Sequence, residues 1–372
     1  MIVYIGMLIV TILLLYFAEK NSNKKIQIFL YCLAVLPFIV ISAIRYNLGT
    51  DYSYRYVPDY NTIANGGDVK NLEIGFKGLI KFCLLFTKDP QLLFVITSII
   101  INVLIFYVIY KKSTNVIFSV IILFFNGFFF SSLNIVRQCM ASSIIFIGYL
   151  FLVKEDNVKK NNILYIICVC IAFLIHKSSI ITAVFLFYTR RNIMNWKWVI
   201  PCSIIMLLLG EKLLVLFKVL LQNTQYSVYF LDKFLKSDVS IVYLIENIIV
   251  YTFMNIKYYM DKKNNKTNKE EILFLNIEGL CLIITVLAKC HVEFDRLSQY
   301  CLNFQLLSIP YFINKIKLDD IAEKIYNPPK YIGMIVVSIV MFMAIFTKTN
   351  ILNNNGEVVP YKTVFNKNYE IR

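Results

Sequence analysis

Charge is scarce in this sequence. Only 16% of its 372 residues are Asp, Glu, Lys or Arg, against about 25% in a soluble domain, so no large soluble domain fits. Histidine is nearly absent: His176 and His291 are the two copies, too few and too scattered for a histidine metal cluster. None of the nine cysteines falls in a Cys-x-x-Cys spacing, so neither a zinc site nor a disulfide framework is supported. No Gly-x-Ser-x-Gly elbow accompanies His176 and Ser178, which removes the hydrolase reading of that pair. Internal repeats are lacking, as are low-complexity tracts beyond short Asn/Lys-rich loops. The first apolar run, Ile2 to Ala18, has no basic lead and no small-residue cleavage site, and reads as a retained span.

What fills the chain is apolar. Hydrophobic residues make up 58% of it and aromatics 15%, and its mean hydropathy is +0.65. That composition predicts an all-α polytopic membrane protein, a single membrane domain over 1–372 with about twelve spans of roughly 20 residues. The net charge of +15 is not a nucleic-acid signature, because most of the cations are lysines in short inter-helix loops. Such lysines mark inner loops: Lys20, Lys24 and Lys25; Lys111 and Lys112; Lys154, Lys159 and Lys160; Lys262, Lys263 and Lys266. Counting from them puts both termini outside and leaves two longer outer segments, about 45–72 and 211–240. The second is apolar with interspersed lysines and reads as a surface-lying amphipathic stretch. Leu72 to Phe86, interrupted by Lys77 and Lys81, reads as a re-entrant or interfacial helix. Ile163 to Ile175 and Ile180 to Tyr188 are short for spans, which predicts a thinned or broken region around His176.

Arginine does not follow lysine. Of the seven arginines, Arg45, Arg55, Arg137 and Arg296 fall on the outer side in this topology. Arginine forks suit phosphate and carboxylate, and cations at span ends need partners. Outer carboxylates such as Asp51, Asp59, Glu293 and Asp295 are possible partners; a shared outer anion site is the alternative favoured for the four together. The densest polar stretch runs from Arg45 through Gly49, Thr50, Asp51 and Tyr52 to Tyr54, Arg55, Tyr56, Asp59 and Tyr60. It combines anion forks, candidate bases and flat tyrosine faces for sugar rings. His176 is a second candidate base, since a histidine titrates near neutral pH. Glu246, Asn247 and Glu278 lie inside spans, where ionisable residues are functional candidates, with pairing to a lysine as the plainer reading.

These residues together resemble the EpsG family, which groups with the Wzy-type polysaccharide polymerases of bacterial envelopes. The resemblance is carried by Arg45-x-x-x-Gly49-Thr50-Asp51-Tyr52, by Arg137-Gln138 opening a span, by His176-Lys177-Ser178 at a later span end, and by the Pro360-Tyr361 tail. Glu73-Ile74-Gly75-Phe76 matches a family pattern of an acidic residue, Gly and Phe. The resemblance implies a metal-independent membrane glycosyltransferase of the cytoplasmic membrane, without a cofactor. It would polymerise undecaprenyl-diphosphate-linked oligosaccharide repeats into capsular or exopolysaccharide at the outer face, alongside a flippase and a chain-length regulator. Arg45 and Arg137 would hold the diphosphate, with Arg296 a third ligand. Asp51 or His176 would be the base, and Gly49, Thr50, Tyr52, Arg55, Gln138 and Lys177 would shape or line the substrate site. A flippase or exporter of lipid-linked glycans, a membrane acyltransferase and a ligase are the competing readings.

Overall fold

The computed structural model describes residues 1–221, 241–289, 291–322, 327–354 and 356–365. It is helical throughout, with no strand among the described residues beyond one isolated bridge, Arg45 to Thr363. The chain forms two compact units, Met1–Ala183 with Phe346–Arg372, and Val184–Ile345.

The first unit holds α1 (Ile2–Lys20), α2 (Lys24–Ala43), a π-helical turn (Tyr52–Tyr56) running into α3 (Val57–Ala64), α4 (Ile74–Leu84), α5 (Gln91–Lys112), α6 (Val116–Phe125), α7 (Phe128–Asn134), α8 (Val136–Leu152) and α9 (Val158–Ile175). A 3-10 stretch, Lys177–Val184, comes next. The second unit holds α10 (Phe185–Tyr188), α11 (Trp196–Leu221), α12 (Ile241–Lys263), α13 (Lys269–Ala288), α14 (Val292–Ala322) and α15 (Pro328–Phe346), whose last residue belongs to the first unit.

Among the described residues six helices are long and apolar enough to cross a membrane, or seven if the bent pair α6–α7, angled by 50°, is one span. This establishes a membrane protein; the expected count of about twelve spans is not reached among the described residues. Three further apolar helices, Val136–Leu152, Lys177–Tyr188 and Trp196–Gly210, are shorter. The run read as a short span from Ile163 is a full 18-residue helix, because α9 starts earlier, at Val158. The break falls after it, where the chain leaves α9 at His176 in an extended conformation and re-enters as a 3-10 helix. In the expected outer segment 211–240, residues up to Leu221 continue α11; residues 222–240 lie outside the described residues. α4 has 11 residues, about 16 Å of helix. That is roughly half the hydrocarbon thickness, so α4 does not cross.

The Asn/Lys loops do more than carry charge. Asn23, Asn115, Asn157 and Asn268 each cap an adjoining helix, accepting from Lys25 N (3.0 Å), Phe118 N (3.0 Å), Lys160 N (3.2 Å) and Glu271 N (3.0 Å). Phenylalanines of α2, α6 and α7 pack in the first unit's interior. Phe130 meets Tyr4 at 4.8 Å and Phe346 at 4.7 Å, and Phe38 meets Phe129 at 4.8 Å. Helices gain little hydrophobic drive from association in lipid, so such close packing and interhelical hydrogen bonds hold them together.

The helix ends of the first unit sort into two sets. Lysine-rich turns sit at the C-terminus of α1, the N-terminus of α2, the C-termini of α5 and α8 and the N-terminus of α9. The opposite ends of the same helices carry Arg45, Gln91, Arg137 and His176.

Candidate functional site

The loop after α2 is fixed from two sides. Residues 356–365 of the C-terminal tail lie along it: Tyr46 N donates to Lys362 O (3.1 Å), Val364 N to Ile44 O (2.9 Å), and Gly49 N to Glu357 O (3.3 Å). Tyr361 Oη donates to Ile41 O at 2.8 Å, tying the Pro360-Tyr361 tail to α2. On the other side Asn134, the last residue of α7, accepts from Thr50 Oγ1 (3.1 Å) and Asp51 N (2.9 Å). Gly49 has φ +88°, and a Cβ there would stand 2.9 Å from Leu133 O. Only glycine meets both demands.

Arg45 lies beneath this loop, 1% exposed. Its guanidinium sits 4.7 Å over the Phe94 ring and donates through Nη1 to Ser98 Oγ (3.2 Å) and to Ser42 O. Nε and Nη2 have no acceptor among the described residues. Burial pulls its pKa down to about 10, against the opposing influence of Tyr52, Tyr56, Tyr4 and Tyr361. It stays charged at neutral pH, but in this arrangement it does not reach a surface where a diphosphate would sit. Tyr52 is also buried, stacked on Phe94 at 4.5 Å and 12°, and burial pushes its hydroxyl up to about 12. Tyr54 (70% exposed) is the open ring of the group.

A second cluster gathers residues far apart in the chain. Glu73, at the N-terminus of α4, pairs through Oε2 with Arg137 Nη1 at 2.6 Å. Its Oε1 meets His176 Nδ1 at 3.2 Å and accepts from Lys177 N at 3.4 Å. The Arg137 guanidinium lies 5.9 Å from the Phe76 ring centre, within cation–π range. Arg137 N donates to Tyr56 Oη at 3.4 Å. Gly75 makes this meeting possible: a Cβ there would lie 2.7 Å from Leu174 O of α9. Thus the acidic residue, the glycine and the phenylalanine of Glu73–Phe76 each have a physical task at one spot.

Electrostatics ties the cluster to the loop. Asp51 and Asp59 both act on Arg137, and Asp51 also acts on Tyr56. Burial would raise the Glu73 carboxyl, but the His176 hydrogen bond and the Arg137 charge outweigh it and hold it at about 2. Burial raises Asp59, opposed by Arg55 and Arg137. Burial also raises the Tyr56 hydroxyl, so it stays protonated. With Glu73 on Nδ1 of His176, Nε2 is left as the proton acceptor of the neutral ring. Both Glu73 oxygens are engaged, so Glu73 orients rather than abstracts protons. Among the described residues the Asp51 carboxylate makes no hydrogen bond, and Arg137 keeps N–H donors beyond the one on Glu73. Among the described residues no three His, Cys, Asp or Glu side chains gather closely enough to hold a metal ion.

Of the residues the sequence proposes, Arg137, His176, Lys177, Asp51 and Arg55 therefore share one region of the first unit, with Thr50 and Gly49 as its scaffold. Gln138 is buried (3% exposed) next to Arg137 on α8. Arg296 is exposed on α14 of the second unit. Sequence reasoning misses the tasks of Glu73 and Asn134, and it singles out Tyr56 only as one ring among several. The pattern Glu73-Ile74-Gly75-Phe76 is the available signal for the first of them.

A family model described as the EpsG family matches residues 28–363. Neither a curated protein nor a solved structure matches the chain.

Proposed function

The chain belongs to the EpsG family, and from that membership we propose that it polymerises lipid-linked oligosaccharide repeats into an envelope polysaccharide. The observation that supports this most is the Arg137–Glu73–His176 cluster, with Asp51 and Asp59 in electrostatic reach. It combines a cation for a leaving diphosphate with an oriented base. These groups come from the helix ends opposite the lysine-rich turns, which by the positive-inside rule is the outer face.

In this reading the donor is a glycan on undecaprenyl diphosphate. An acceptor sugar hydroxyl attacks the anomeric carbon. The new C–O bond forms as the bond to the diphosphate oxygen breaks, and the diphosphate departs with the electron pair. Arg137 takes up the charge developing on it. The hydroxyl proton passes to His176 Nε2 or to the Asp51 carboxylate. Glu73 fixes the histidine tautomer and holds Arg137 in place. Tyr54 offers an open ring face for a sugar. Arg45 acts from below, setting the loop that carries Asp51, rather than as a direct diphosphate ligand.

Deleting the gene and sizing the surface glycan tests the class of function. Single repeats left on lipid support a polymerase. Loss of all surface-exposed repeat means a flippase, and full-length polymer lacking acyl groups means an acyltransferase; either result overturns the proposal.

A further inference from the structure

The second unit contains a polar cluster that the proposed reaction does not use. Glu246 on α12 is 1% exposed and Glu278, at the middle of α13, is 2% exposed. The two carboxylates are close enough to interact electrostatically. Gln305 of α14, fully buried, links Glu278 to Asn247, the neighbour of Glu246 on α12: its Nε2 donates to Glu278 Oε1 at 3.1 Å and lies 3.4 Å from Asn247 Oδ1. Asn247 Oδ1 also lies 3.4 Å from Cys281 Sγ, and Asn247 Nδ2 donates to Tyr243 O at 2.9 Å.

Two features set this cluster apart from an ordinary buried network. No lysine, arginine or histidine pairs with either glutamate among the described residues. Two buried acceptors, Glu246 Oε1 and Gln305 Oε1, have no donor among the described residues. An unpaired carboxylate inside a membrane helix bundle is costly, and two ionised together more so. Elsewhere the bundle supplies cations to acids: Lys257 pairs with Asp261 and Asp319 at 2.5 Å each, and Lys315 with Asp261 at 2.9 Å. It supplies none to Glu246 and Glu278 among the described residues.

We propose that Glu246 and Glu278, with the amide oxygens of Asn247 and Gln305, form a binding site for a small hard monovalent cation of the sodium class. The donor set is all oxygen, which suits a hard ion rather than zinc or copper. One carboxylate ionised and the other protonated balances a single positive charge. Binding to the fully protonated pair therefore releases one proton for each ion taken up. The other titratable groups around the pair are Tyr243 on α12, Cys281 on α13, and Cys301 and Asp295 on α14, with Cys301 in turn acting on Tyr188 of α10. From α11, no ionic contact reaches either glutamate among the described residues. This inference is independent of the glycan chemistry.

The test uses the full-length protein in detergent and dicyclohexylcarbodiimide, which modifies protonated carboxyl groups in apolar surroundings. Peptide masses covering 241–263 and 269–288 report which glutamate reacts. Sodium chloride is expected to slow the modification several-fold relative to choline chloride. The sodium needed for half-protection should rise about tenfold for each pH unit lowered, the mark of one proton exchanged per ion. In Glu246→Gln, Glu278 should still react but lose sodium protection. Equal rates in sodium and choline, or no modification of either glutamate in the wild-type protein, overturn the proposal.

Discussion

Glu73 is held by partners 64 and 103 positions away, Arg137 and His176. Such a carboxylate, shared between a guanidinium and an imidazole nitrogen, is strongly asymmetric in its effects. Removing it leaves Arg137, only 13% exposed, with a poorly compensated charge. Glu73→Ala should therefore lower stability by on the order of 3 kcal/mol, and Glu73→Gln, which keeps an acceptor, by less. Thermal unfolding of the purified protein in detergent checks this; an unchanged midpoint for Glu73→Ala would show the ion pair to be ornamental. The pH dependence has a definite sign. A carboxyl depressed to about 2, from about 4.3 when unfolded, contributes stability that is complete above the unfolded value. It is lost as pH falls through about 2. The stability gap between wild type and Glu73→Ala should thus be flat from about pH 5 to 8 and close only below about pH 4.3. Residue type alone picks out Arg137 and His176 from the sequence, but Glu73 stays a pattern letter. Its partners are distant in the chain, and nothing local marks a pairing of that kind. Arg45 illustrates the reverse. Its chemistry suggests a ligand, whereas its guanidinium is buried against the Phe94 ring, a placement that residue type does not reveal.

Among the helices and loops, the decisive pieces are short ones. Hydropathy makes apolar helices such as α1, α2 and α5 legible. The non-spanning character of α4 is legible too, because Lys77 and Lys81 shorten its apolar run. What hydropathy does not encode is the break between α6 and α7, since the whole stretch is apolar, or the close approach of α4 to α9 through Gly75. The loop from Arg45 to Tyr52 depends on Gly49, whose positive φ and contact with Leu133 O exclude a side chain. Gly49→Ala adds about 1–3 kcal/mol of backbone strain as well as a clash. It should reduce polymer formation by about tenfold or more while membrane levels stay near wild type. Wild-type polymer from Gly49→Ala would show that the loop's position is not critical.

Over the whole chain, composition predicts about twelve spans, whereas among the described residues six or seven helices are both long and apolar enough to cross. The difference lies partly in short pieces of the candidate site, such as the 3-10 stretch after α9 and the 17-residue α8, and partly in long but more polar helices such as α12 and α14. Lysine counting nevertheless groups the helix ends of the first unit as the site requires, since Arg45, Arg137 and His176 all come from ends opposite a lysine-rich turn. Tyr46 and Ser178 should therefore be labelled from the same side. In a cysteine-free background, Tyr46→Cys and Ser178→Cys are expected to react with a membrane-impermeant maleimide added to intact cells, and Lys111→Cys only after permeabilisation. Labelling of Tyr46→Cys and Ser178→Cys from opposite sides would break the outer-face site apart.

If Arg137 is the cation that receives the departing diphosphate, its removal must stop chain growth. Membrane vesicles carrying wild-type or Arg137→Ala protein at equal levels can be supplied with lipid-linked repeat units and the products sized over time. The expected result is a loss of polymerisation of about a hundredfold or more, with single repeats left on lipid and partial activity in Arg137→Lys. Full-length polymer from Arg137→Ala at the wild-type rate would contradict it.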